Sequence, residues 1–145
     1  MKLLLVSNSR NSVPAAFDDA VNFRALFNQV VLLPRFCQVC ILSSTVDDAN
    51  SPKLHYVQFT NLPLQTKLGN CEKGGTPKIV GAILSDVADY HQNWINLDNP
   101  SEMTITELDV KIVNQDGELS SGLSNSTEFL VGYRQDPAMK GTTQY

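Results

Sequence analysis

INLDNPSEMTITELDVKIVNQDGELSSG, residues 95–122, holds the most regular pattern in the chain. Leu108, Val110 and Ile112 alternate with Glu107, Asp109 and Lys111. A period of two means a strand with one buried face and one wet face. Met103 and Ile105 share the parity of Glu107 rather than that of Leu108, so the buried face changes near Thr106, which predicts a β-bulge there. DNPSE (98–102) reads as a turn. NQDGE (114–118) reads as a second turn, in which Asp116-Gly117 supplies the positive φ that a tight hairpin needs. STEFLVGYR (126–134), with Phe129, Val131 and Tyr133 on one face, closes the expected hairpin.

The rest of the chain repeats the β signal. Residues 2–7 read as a first strand. VVLLP (30–34) and FCQVCILSSTV (36–46) are rich in β-branched residues, with Pro34 marking a bend or edge between them. KLHYVQFT (53–60) is a strand ended by NLP (61–63). LQTKLG (64–69) is a candidate short strand, KIVGAIL (78–84) a buried one, and the end of 86–97 is extended around Trp94 to Leu97. DDANSP (47–52) and GNCEKGGTP (69–77) read as loops. The helix-like piece is AFDDAVNFRALFNQ (16–29). There Phe17, Ala20, Val21 and Phe27 fall at helical spacing, and Asp18 and Asp19 suit a first turn. About eight strands with turns and no intervening helices exclude a doubly wound parallel sheet and favour an antiparallel sandwich or barrel.

The 145 residues carry a formal net charge of −4, with 42% hydrophobic and 18% charged side chains. One globular domain is expected, large enough to bury a core. No basic stripe is present, which argues against direct nucleic-acid binding and against an anionic membrane surface. No stretch approaches the ~20 apolar residues of a membrane span. Leu3 to Val6 is shorter than the apolar region of a secretory signal, so the start is read as a strand and the protein as retained in the cytosol unless it leaves inside an assembly. Three cysteines do not suggest a secreted disulfide framework.

Residues that could carry chemistry are scattered. Cys37 and Cys40, in CQVC, could hold zinc with Cys71, His55 and His91. On a strand, however, positions three apart face opposite ways, so buried structural cysteines are the stronger reading. His55 is expected to point outward if Leu54 and Tyr56 point inward. Asp18/Asp19, Asp47/Asp48 and Asp86/Asp89 are acid pairs; Asp47/Asp48 is the best of them for calcium, and solvated loop acids are the commoner explanation. GNCEKGG lacks the spacing of a phosphate loop. Asn125 begins a glycosylation sequon, relevant only on the secretory route. Trp94 with Tyr90 could form a sugar platform, although core packing is the stronger reading. Two histidines without an H-x-H pair fit a cupin-type metal enzyme poorly. The expectation is therefore no catalytic residue, no cofactor and no metal.

NFRALFNQVVLLPRFCQVCILSSTV (22–46), YVQFTNLPLQTKLGN (56–70) and INLDNPSEMTITELDVKIVNQDGELSSGLSNSTEFLVGYR (95–134) together resemble single jelly-roll, capsid-associated proteins of eukaryotic double-stranded DNA viruses, including large algal viruses, virophages and Polinton-like elements. In the resemblance, N-F-x-x-x-F is followed by LP and an alternating strand, and a hairpin leads to a last strand ending in a basic residue, here Arg134. It covers about three-quarters of the chain. It implies an all-β, single jelly-roll sandwich over 1–134, with one short helix near 16–29 and a tail, 135–145, as a candidate mobile arm. It also implies a virion protein of minor capsid, penton or spike type, assembled in the host cytoplasm or nucleus. Such a protein would associate with itself as a trimer or pentamer and contact other capsid proteins. The competing expectation is a receptor- or glycan-binding domain, such as a spike head.

Overall fold

The computed structural model describes residues 1–8, 21–48, 54–64, 79–84, 92–114, 118–120 and 123–142. Eight strands are present: β1 (Lys2–Ser7), β2 (Asn22–Leu33), β3 (Cys37–Asp48), β4 (Leu54–Phe59), β5 (Ile79–Leu84), β6 (Ile95–Asn96), β7 (Met103–Val113) and β8 (Leu123–Gln135). They form two four-stranded antiparallel sheets. The first, sheet A, has the order β1-β8-β3-β6; the second, sheet B, has the order β2-β7-β4-β5. This is a jelly-roll sandwich. The pairing is nested: Lys2 faces Tyr133, Asn22 faces Lys111, Gln38 faces Asn96 and Leu54 faces Leu84. Each pair lies inside the last along the chain, as if one long antiparallel ribbon were rolled up with β4–β5 at its tip.

The rolling follows from side-chain patterning. A strand of this length buries one face, and a single sheet has nothing to bury it against. Phe23, Phe59, Leu108, Val110, Ile112, Phe129 and Val131 are each no more than 1% exposed and belong to one apolar cluster between the sheets. Charged Arg24, Glu107 and Asp109 lie on the other face of sheet B. There Arg24 donates to Asp109 at 2.7 Å and sits 3.2 Å from Glu107.

The face change expected at Thr106 is present, and it has a partner the sequence did not reveal. Ile105 and Leu108 are both buried. Leu26 pairs with Glu107, and the next pair is Val31 with Ile105. Phe27 to Val30 therefore all stand opposite Thr106, and the extra residues belong to β2. This also corrects the helix expected over 16–29. Residues 22–29 are strand: Phe23 is buried, Leu26 is exposed in regular register opposite Glu107, and only Phe27 falls in the bulge; residues 16–20 lie outside the described part.

The expected hairpin from β7 into β8 is corrected too. The two strands lie in different sheets. Only a local turn forms, with one bridge from Val113 to Leu119 and an Asn114 N–H bond to the Glu118 carbonyl. The chain then crosses the sandwich, because both edges of β7 are already taken by β2 and β4. Asp116-Gly117 lies outside the described residues.

The corner between β2 and β3 is pinned by one side chain. Phe36 has φ 50°, a left-handed conformation unusual for a residue with a Cβ. Asn99, 5% exposed, accepts from the Cys37 N–H at 3.0 Å and donates to the carbonyls of Pro34 at 2.7 Å and Ser101 at 3.3 Å. Its own carbonyl accepts from the Phe36 N–H at 2.9 Å. The end of β8 closes on the same corner: the Asp136 N–H donates to the Phe36 carbonyl, and a 3-10 turn follows at Pro137–Thr142.

Replacing Asn99 with Ala strands a buried N–H and two carbonyls at a strained turn. Such losses cost about 1–3 kcal/mol for each buried group left without a partner. We expect N99A to lower the stability by about 2–4 kcal/mol in urea unfolding, while exposed T104A changes it by less than about 0.5 kcal/mol.

Candidate interaction surface

The sequence candidates do not converge. Cys37 is part of the core cluster, whereas Cys40 pairs with Gly132, whose missing side chain would point at Met1, Leu42 and Trp94 on the outside of sheet A. The two sulfurs thus lie on opposite faces, as strand geometry requires. Among the described residues no three His, Cys, Asp or Glu side chains come together as a metal site; Cys71 and His91 lie outside them. Asp47 and Asp48 end β3 rather than opening a loop. Asn125 falls within β8. Asp18, Asp19, Asp86, Asp89, Tyr90 and the Gly-rich loop lie outside the described residues.

His55 is corrected. It is 2% exposed, faces inward beside Ile83, and bonds through Nδ1 to Ser120 Oγ at 2.9 Å, while Leu54 is 48% exposed. The signal was available, because His55 shares the parity of Val57 and Phe59, the two most deeply buried residues of β4. Trp94 is corrected as well. It packs outside the sandwich, half-buried over Gly132, with the Arg134 guanidinium 4.0 Å above its ring. Arg134 Nε also donates to Gln38, which donates on to Asn96, so a polar row crosses β8, β3 and β6.

The exposed apolar side chains have a clear distribution. Of eight large ones among the described residues, Met1, Leu3 and Leu5 are on or beside β1, and Leu26, Val30 and Leu32 are on β2. β1 and β2 are the edge strands of the two sheets on one flank. Where the β2 bulge leaves β1, a cleft of about 470 Å³ opens, lined by Leu4, Leu5, Ala25, Leu26, Phe27 and Val31 with Ser7, Asn28 and Gln29. The apolar side chains of β1 continue across the outside of sheet A. By register Leu3 lies beside Gly132 and Leu5 beside Leu130, with Leu42 and Trp94 closing over Gly132. An apolar flank joined to an apolar sheet face is the kind of exposed patch that a binding partner covers. Sequence reading missed it. Its one signal was the uninterrupted LLLV of β1, where a half-exposed strand would alternate.

No protein-family model matches the chain, and no curated protein matches it.

Buried acids of the sandwich set its behaviour in alkali. Burial pushes the Cys37 thiol from 9.0 up to about 11, against the pull of a backbone hydrogen bond at Arg134. Burial likewise raises Cys40 and Tyr133. Between pH 9 and 11 the unfolded chain loses protons that the folded one keeps, so stability falls as pH rises through that window and is full below it. C37A should flatten part of this slope in urea midpoints measured from pH 8 to 11; an unchanged slope would assign it elsewhere.

Trp94 is the only tryptophan, so its emission reports on the outside of sheet A. A Cβ at Gly132 would lie 3.0 Å from Met1 Sδ and 3.3 Å from the Trp94 ring. G132V should therefore displace the ring and shift its emission to the red while far-UV circular dichroism keeps its β signature.

Proposed function

We propose that the protein is a structural subunit of a virus particle, of minor capsid or penton type, that self-associates and contacts neighbouring capsid proteins. The observation that carries the reading is the apolar flank of a jelly roll: among the described residues, six of the eight exposed large apolar side chains lie on or beside two edge strands of one flank. A surface of that kind is stable in water mainly when neighbours cover it. The resemblance adds to this. Its segments 22–46 and 95–134 hold β2, β3, β6, β7 and β8, which pair with one another across both sheets. A ring of three or five copies is the arrangement proposed, and no catalytic step belongs to this reading.

No helix among the described residues is long and apolar enough to cross a membrane. The proposed partners are other chains, and a glycan or receptor would be reached through loops at the ends of the sandwich.

Light scattering on the size-exclusion peak, with detection of the chain in purified particles, tests the proposal. A discrete oligomer that co-purifies with particles supports it. A monomer confined to infected-cell cytosol overturns it, and saturable glycan binding by such a monomer would favour the spike-head alternative.

A further inference from the structure

The two outer faces of the sandwich arrange their charges differently. On sheet B, Arg24, Glu107, Asp109 and Lys111 cluster at the centre, with Arg24 paired to Glu107 and Asp109, beside exposed Leu26 and Leu54. Sheet A presents an apolar belt between two opposite charges. Along the outward side of β8 the order is Arg134, Gly132, Leu130, Glu128, and register places Leu3 and Leu5 beside the two middle positions. Arg134 and Glu128 are six residues apart, about 20 Å along a strand.

We infer that the outer face of sheet A is a contact between two copies of this chain, related by a two-fold axis that runs across the strands. This rests on the reading of the protein as a self-associating subunit and names the surface and the symmetry. The charge pattern chooses the axis. An axis along the strands would set Arg134 against Arg134 and Glu128 against Glu128. An axis across them sets Arg134 of each copy over Glu128 of the other, and the apolar belts meet between. Both charges are equally far from Val131, and Leu3 and Leu5 are equally far from Leu4, the residue facing Val131. The face is self-complementary about that point, as a two-fold contact requires.

The area sets the strength. Three strands ~4.8 Å apart and seven residues ~3.3 Å apart span roughly 14 by 20 Å. That is about a third of the ~800 Å² per partner of a standard stable interface. The contact is therefore weak alone and depends on concentration. In a shell it would join subunits of neighbouring rings.

Sedimentation velocity on the full chain over a concentration series up to about 1 mM tests this. A reversible step that doubles the mass of the smallest species is expected. R134E alone should weaken that step by about ten-fold through like charges, and R134E with E128R in the same chain should restore it. Because Arg134 also stacks on Trp94, L3Q with L5Q gives a second route: both leucines are about half exposed, so the fold stays intact while the doubling is lost. A chain that stays monomeric throughout overturns both this contact and the self-association reading. An oligomer indifferent to all these changes overturns the sheet A contact and leaves self-association standing.

Discussion

Strand β8 hydrogen-bonds to β3 over most of its length and, on its other side, to β1 from Glu128 to Tyr133. That double pairing fixes its register, and its register fixes the sandwich. A slip of one residue would send Phe129, Val131 and Tyr133 to the outside and bring Leu130 and Arg134 in. The first three are all buried, and Phe129 and Val131 are among the most buried side chains of the described residues. Burying an unpaired guanidinium in their place costs several kcal/mol. The penalty is large against a net stability of ~5–15 kcal/mol, so one register survives. The corner at Phe36 then locks the end of β8, because its carbonyl accepts the Asp136 N–H while Asn99 holds the other side of the turn.

The nested pairing explains why the two sheets came to differ. β7 is the centre of sheet B, and its outward residues must coexist with those of β2 beside it. Arg24 directly faces Asp109 in the register, and their bidentate pairing at 2.7 and 3.4 Å satisfies both within the sheet. On sheet A the corresponding positions of β1 are leucines. Nothing in the packing of one chain demands them, since the inward Leu4 and Val6 already supply what the core needs. Apolar residues facing water on an edge strand contribute nothing to the isolated domain. Their presence is therefore an argument about what lies outside it.

Much of the architecture was legible from residues alone. β1, β3, β4, β5 and β7 show themselves because alternation or β-branched runs are local properties, and so is the face change at Thr106. His55 apart, whose parity with Val57 and Phe59 was a local signal, the misreadings share one cause: local pattern cannot report which strand a segment will pair with. The bulge in β2 stands opposite the face change of β7, and in sequence that segment only mimics a helix. Asp116-Gly117 is a sound turn signal, but whether the next strand folds back or crosses depends on β4 already holding the other edge of β7. Trp94 was expected in the core from its size. Only the glycine at 132, two strands away in the register, makes room for it on the outside.

The four sheet edges complete the argument about surfaces. β2 is interrupted by four residues that stand opposite the single Thr106 of β7, β5 has a register shift opposite Val57 and Gln58, and β6 is two residues long. Each of these devices makes an edge hard for another strand to extend. β1 has none of them. It pairs with β8 through six consecutive residues without a shift, contains no proline, and carries a single charge at Lys2. The one regular edge carries exposed leucines on its outer face, as interrupted β2 does at Leu26 and Leu32. Protection was applied to three edges and withheld from the fourth, so β1 is the edge that another strand could extend.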